Sequence, residues 1–96
     1  MNPTETTFFS NKAACFFEQK NFDKCIEVCE EGLAGCKGDN YDFTKLGKIL
    51  ARKANALVQL ERFDEGIDCY QSALLEHNDP KIKYALQQAK KTKNSV

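Results

Sequence analysis

The 96-residue sequence carries no net charge: 14 Lys and Arg balance 14 Asp and Glu. That balance argues against generic nucleic-acid binding and leaves any electrostatic function to a local patch. No apolar run approaches the length needed to cross a bilayer. The opening MNPTETTFF lacks the basic segment and apolar stretch of a secretion signal, so the expected compartment is cytoplasmic. There is a single histidine, His77, and no glycine-rich phosphate loop, nucleophile–base pair or metal-ligand set, so neither an enzyme nor a cofactor is expected. The five cysteines are odd in number and lack a secretion signal, which argues against a disulfide framework. Cys25 and Cys29 share a helix face but lack further ligands. The five are read as reduced, buried small residues.

What the sequence does contain is apolar residues at helical spacing. In FDKCIEVCEEGL, Phe22, Cys25, Ile26, Cys29 and Leu33 fall on one face; in FDEGIDCYQSALL, Phe63, Gly66, Ile67, Tyr70, Ala73 and Leu74 do the same. No segment sustains a period of two. The chain length bounds the answer to one domain or part of one.

The two segments are copies. A shift of 41 residues, carrying residue 9 onto residue 50, matches Lys12, Ala13, Phe22, Asp23, Ile26 and Leu33 with Lys53, Ala54, Phe63, Asp64, Ile67 and Leu74. Each unit reads as helix, short turn, helix, and so short a turn makes the two helices antiparallel. Helices are expected over 5–19, 22–36, 41–60, 63–76 and 80–92, with a break at Gly38-Asp39-Asn40. Asp79 suits the N-cap of the last helix and Pro80 its first position. Ile82, Leu86 and Ala89 give that helix a narrow apolar stripe, as a terminal cap needs. The closing KTKNSV is expected to fray.

The order of small and large positions resembles the tetratricopeptide repeat, a helix–turn–helix unit of about 34 residues. Its small positions correspond to Ala13, Cys25 and Gly32 in the first unit and to Ala54, Gly66 and Ala73 in the second. The resemblance implies an all-α fold of two helix-turn-helix hairpins, 5–36 and 41–76, stacked as a right-handed solenoid and closed by a capping helix at 80–92. It also implies that the first helix of each unit lines a concave surface.

On that surface Lys48, Arg52 and Asn55 lie at i, i+4 and i+7, with Lys45 extending the stripe, and Thr7, Asn11, Ala14 and Glu18 occupy the matching face one unit earlier. Asn11, Lys48 and Arg52 are therefore expected to converge on one groove. Arg offers a planar fork that fits a carboxylate, Lys a mobile charge, and Asn uncharged amide donors. Together they suit an anion with several oxygens, such as a peptide's terminal carboxylate. The alternative is solvated cations, with Lys48 paired to Asp42 or Asp39.

The stretches SNKAACFFE and GKILARKANAL resemble the carboxylate-clamp class of tetratricopeptide domains. Their lengthened spacing and CYQSALLEHNDPKIKYALQQAKK are similar to the middle domain of the Hsp70/Hsp90-organising co-chaperones. That likeness implies a module binding the acidic Glu-Glu-Val-Asp tail of heat shock protein 90, in preference to heat shock protein 70. Asn11, Lys48 and Arg52 would hold the carboxylates, and Thr7, Ala14, Glu18 and Asn55 would flank the peptide.

The class draws a further Lys and Asn from a preceding unit that this sequence does not include. A fragment of a longer scaffold is expected, with Phe8 and Phe16 uncovered and prone to self-association. Each lost charged contact would weaken peptide binding by about 1–3 kcal/mol. Two competing readings are a structural repeat scaffold without a tail clamp, and an RNA- or phosphate-binding repeat using Lys45, Lys48, Arg52, Lys81 and Lys83.

Overall fold

The computed structural model describes the backbone of residues 5–35 and 43–95, and the side chains of 11–34 and 46–95. Five helices follow in order: α1 (Glu5–Glu18), α2 (Phe22–Gly35), α3 (Phe43–Gln59), α4 (Phe63–Glu76) and α5 (Pro80–Ser95). No strand occurs among the described residues. The Gly38-Asp39-Asn40 break and the acids Asp39 and Asp42 lie outside them.

The two hairpins, α1–α2 and α3–α4, are joined by α2 packing on α3, and α5 closes the far side by packing on α4. The central helix α3 touches all four others. It is therefore the element through which either unit can feel the other.

The hairpin turns are built identically. The Lys20 N–H donates to Phe17 O at 3.0 Å and the Asn21 N–H to Phe16 O at 2.9 Å. Forty-one residues on, the Glu61 N–H donates to Val58 O and the Arg62 N–H to Leu57 O, both at 2.9 Å. This pair of bonds satisfies carbonyls left over at a helix end, and it requires a left-handed residue between them. Lys20 (φ 62°) and Glu61 (φ 63°) fill that place.

All six repeat-defining small residues are buried. Ala13, Cys25, Ala54 and Ala73 are at most 1% exposed, and Gly32 and Gly66 are buried with them. The close approach is tightest at Gly66: a Cβ there would lie 2.7 Å from Val58 Cγ2 and 3.2 Å from the Ala54 carbonyl oxygen. Gly47 has a comparable place, with a would-be Cβ 2.8 Å from His77 Cβ. Around the small residues, Val28 and Cys29 of α2 and Leu46 and Ile49 of α3 fill the core between the first hairpin and α3, with Phe16, Phe17 and Phe22 packed against it. The rings of Phe17 and Phe22 meet edge to face at 5.3 Å across the first turn.

Three expectations are corrected. Phe16, expected bare, is half-buried against this core; Phe8 lies outside the described side chains. Cys15, expected buried, is exposed, because it points away from the seam on which Ala13 sits. Cys25 and Cys29 are buried as expected and Cys69 is only half-buried, all three as free thiols; Cys36 lies outside the described residues. Finally, α5 runs to Ser95 and does not fray after residue 92. The Lys93 ammonium donates to Asp64 Oδ1 on α4, and Thr92 and Ser95 hydroxyls donate to the carbonyls of Gln88 and Lys91, each at 2.9 Å.

Candidate peptide-binding groove

The described cations of α3 divide between two sides of the helix. Lys53 turns to α2, where its Nζ stands 3.3 Å from Glu30 Oε2. Lys48 and Arg52 turn the other way. With Ala51 and Asn55 they line a groove of about 270 Å³, whose opposite wall is Asp79, Lys81 and Ile82 at the start of α5. The i, i+4, i+7 stripe read from the sequence is thus one wall of a real concavity. At this size the groove suits a residue or two of a peptide, since small-molecule pockets run to about 300–1,000 Å³.

Arg52 is held from the neighbouring unit. Its guanidinium lies 5.9 Å from the ring centroid of Phe17 on α1, and the residue is half-buried. An aromatic face beneath a guanidinium steadies it without using any N–H donor, so the fork stays available to an anion.

Asn55 is oriented by a hydrogen bond. The Tyr70 hydroxyl of α4 donates to Asn55 Oδ1, which leaves the amide nitrogen as the group offered to the groove. Tyr70 is only 3% exposed, and burial pushes its hydroxyl pKa up to about 12. It therefore stays a donor throughout the neutral range, and Asn55 stays a donor toward any ligand.

The one acid in the wall is occupied. Asp79 Oδ1 accepts the Lys81 backbone N–H at 2.9 Å, capping α5 as its sequence position implies. Asp79 Oδ2 is 3.7 Å from His77 Nε2. Among the described residues neither Lys48 nor Lys81 takes part in an ion pair. The groove thus presents three cations against one carboxylate, a net positive balance that favours an anionic ligand.

The other expected residues lie on α1. Asn11 and Glu18 are exposed there and Ala14 is half-buried; α1 packs against α3. Thr7 is in α1 and Lys45 in α3, but their side chains are outside the described set. The contribution of α5 to the groove, Lys81 and Ile82, is not part of the clamp expected from the sequence. In the sequence Lys81 appears beside Lys48 and Arg52 only in the competing RNA- or phosphate-binding reading, and Ile82 only in the apolar stripe of the capping helix. No three-residue set of His, Cys, Asp or Glu able to hold a metal occurs among the described residues, and no described helix is long and apolar enough to cross a membrane.

No family model matches the chain. Among individual proteins, it is 29% identical over its whole length to Hsp70-Hsp90 organizing protein 3 of Arabidopsis thaliana, of which it spans 18%. It is 33% identical, over 93% of its length, to the heat shock protein sti1 homolog of Schizosaccharomyces pombe, spanning 15% of it. The chain thus corresponds to less than a fifth of these relatives. Among solved structures, it overlays the TPR2AB domain of yeast Sti1, solved as a pHSP90 complex, with a TM-score of 0.89 at 26% identity, covering 94% of this chain and 35% of that one. It overlays the N-terminal domain of stress-induced protein-1 from C. elegans with a TM-score of 0.81 at 26% identity, covering 92% of this chain and 69% of that one. The paired hairpins, the buried small residues and these relatives agree that the chain has the tetratricopeptide-repeat fold and is similar to repeat domains of the Hsp70-Hsp90 organizing proteins.

Proposed function

We propose that the domain is a non-enzymatic, cytoplasmic co-chaperone module that binds the acidic C-terminal tail of a heat-shock chaperone, heat shock protein 90 foremost, by its terminal carboxylate. Lys48 and Arg52 bind the carboxylate oxygens, and Asn11 reaches the same chain end from α1. Thr7, Ala14, Glu18 and Asn55 flank the extended peptide. The observation that carries this reading is the groove itself: Lys48, Arg52 and Asn55 side by side, in a chain that overlays a repeat domain solved with a pHSP90 ligand.

The geometry supports it in three ways. Arg52 is pre-positioned over Phe17, so less side-chain freedom is lost on binding. Asn55 is turned donor-outward by Tyr70, which suits a peptide carbonyl or carboxylate. Asp79 accepts the Lys81 backbone N–H at its own helix end and makes no ion pair with Lys48.

Calorimetry of the chain against Met-Glu-Glu-Val-Asp and its C-terminal amide tests this. Binding of the free acid with loss of at least tenfold on amidation is expected. Equal binding of the two would overturn the chain-end clamp.

A structural scaffold without a tail clamp is the second reading. It is favoured by Leu75 and Tyr84, which are 87% and 65% exposed and would contact a folded partner. Under that reading, Lys48→Ala and Arg52→Ala leave partner binding unchanged.

A further inference from the structure

The groove has two walls, and the chain-end clamp uses only one. The second wall belongs to α5, and its charge comes from Lys81. We propose that Lys81 creates a second anion position in this groove, which takes a side-chain carboxylate of the bound tail and selects tails with an acidic residue upstream of their terminus. This rests on the tail-binding reading and adds to it a contact made by the capping helix.

Four observations carry the assignment. Lys81 lines the same cavity as Lys48, Arg52 and Asn55, so its ammonium and theirs border one volume. Among the described residues it has no ion-pair partner. Its backbone N–H, not its side chain, is what Asp79 caps; the side chain is free of any structural duty at the helix start. Ile82 stands beside it, 6% exposed, and Ala51 faces it from α3. Apolar and cationic side chains therefore line the same groove. A glutamate matches that lining, with methylenes for Ile82 and Ala51 and a carboxylate for Lys81. An uncharged residue of the same size leaves the cation unneutralised.

The division of labour follows from position. Arg52 is tied toward α1 through Phe17, which places the chain-end site at the α1–α3 side. Lys81 is on the α5 side. An extended peptide advances about 3.3 Å per residue, so a tail anchored at the first site passes its preceding residues along α3 toward α5.

The test is calorimetry with the acetylated pentapeptide Met-Glu-Glu-Val-Asp, with the two peptides in which one glutamate is replaced by glutamine, and with the C-terminal amide. Each is titrated against the parent chain, Lys81→Ala and Lys81→Glu. The parent should discriminate against one of the glutamine peptides by about three- to tenfold. Lys81→Ala should erase that discrimination and weaken the parent peptide to the same degree, and Lys81→Glu should invert it. In both variants amidation should still abolish binding, because the chain-end site is intact.

If both Lys81 variants keep the parent's affinity and discrimination while amidation still matters, the second position is overturned and the clamp stands. If the amide binds as well as the acid, the clamp falls and this position falls with it. Thermal melts of the variants should match the parent, since the Lys81 side chain supports no packing.

Discussion

Lys20 and Glu61 sit 41 positions apart and adopt the same left-handed backbone, with φ of 62° and 63°. Each closes its hairpin through the same pair of carbonyl bonds. The repeat is therefore exact at the level of backbone conformation even where the side chains differ. It is also imperfect in chemistry, because both positions carry a Cβ where glycine is the favoured residue.

Glycine at either turn should consequently stabilise the domain. A left-handed residue with a Cβ costs about 1–2 kcal/mol, partly offset by glycine's greater freedom in the unfolded chain. Glu61 is exposed, so little else changes. Glu61→Gly should raise stability by about 0.5–1 kcal/mol in urea unfolding, and Lys20→Gly should add a similar amount independently. A loss of stability in both would contradict the turn geometry.

Gly66 offers the opposite case. Alanine is the better helix former by about 1 kcal/mol, yet its Cβ would fall 2.7 Å from the β-branched Val58 side chain and 3.2 Å from a backbone oxygen. Overpacking of this kind costs about 1–3 kcal/mol. Gly66→Ala should lower the melting temperature by several degrees, and Val58→Ala in the same chain should recover part of the loss. A stabilised single variant would mean that α3 and α4 are not as close as described.

Much of this fold could be read from the residues because the repeat constrains them twice. Ala13 and Ala54, or Cys25 and Gly66, occupy the same crossing in consecutive hairpins, so one pattern checks the other. Asp79 and Pro80 mark the start of α5 locally, and both serve as their types suggest. Less legible were features that depend on one helix meeting another. The tail KTKNSV reads as polar and unsupported, but the Lys93–Asp64 tie from α4 extends α5 to Ser95. Cys15 sits in an apolar stretch, and only the position of its neighbours leaves it outside. The Lys48–Arg52–Asn55 face was visible in the spacing. That Lys81 and Ile82 would form the other wall depends on the angle at which α5 leaves α4, for which the sequence has no periodic signal.

Arg52 separates charge from shape at the groove. Lys at this position keeps the charge but lacks the planar fork and stacks less well on Phe17. Arg52→Lys should weaken binding of Met-Glu-Glu-Val-Asp by about tenfold, near 1.4 kcal/mol, and Arg52→Ala by more, with melting temperatures close to the parent for Lys. Phe17→Leu should produce a smaller loss in affinity by leaving the guanidinium without its aromatic support. Parent-like affinity in Arg52→Lys would show that the fork is not used.

Tyr70 links stability at high pH to the orientation of Asn55. Its hydroxyl pKa is pushed up to about 12 by burial, while in the unfolded chain it is near 10. The folded state thus favours the protonated form, and that contribution is fully present below about pH 10 and lost as pH rises toward 12. The difference between the folded and unfolded values is worth about 2–3 kcal/mol. The hydrogen bond shared by Cys25 and Cys29 lowers the first thiol's pKa and raises the second's, so the pair shifts in opposite directions and is common to parent and variant. Tyr70→Phe removes the tyrosine share only. At pH 8 it should be less stable than the parent by about 1 kcal/mol, the worth of the bond to Asn55. By pH 11 the gap should close or reverse, because the variant has no hydroxyl to ionise. Urea midpoints at pH 8, 9.5 and 11 measure this directly, and a gap that stays constant across that range would mean that Tyr70 does not titrate as its burial requires.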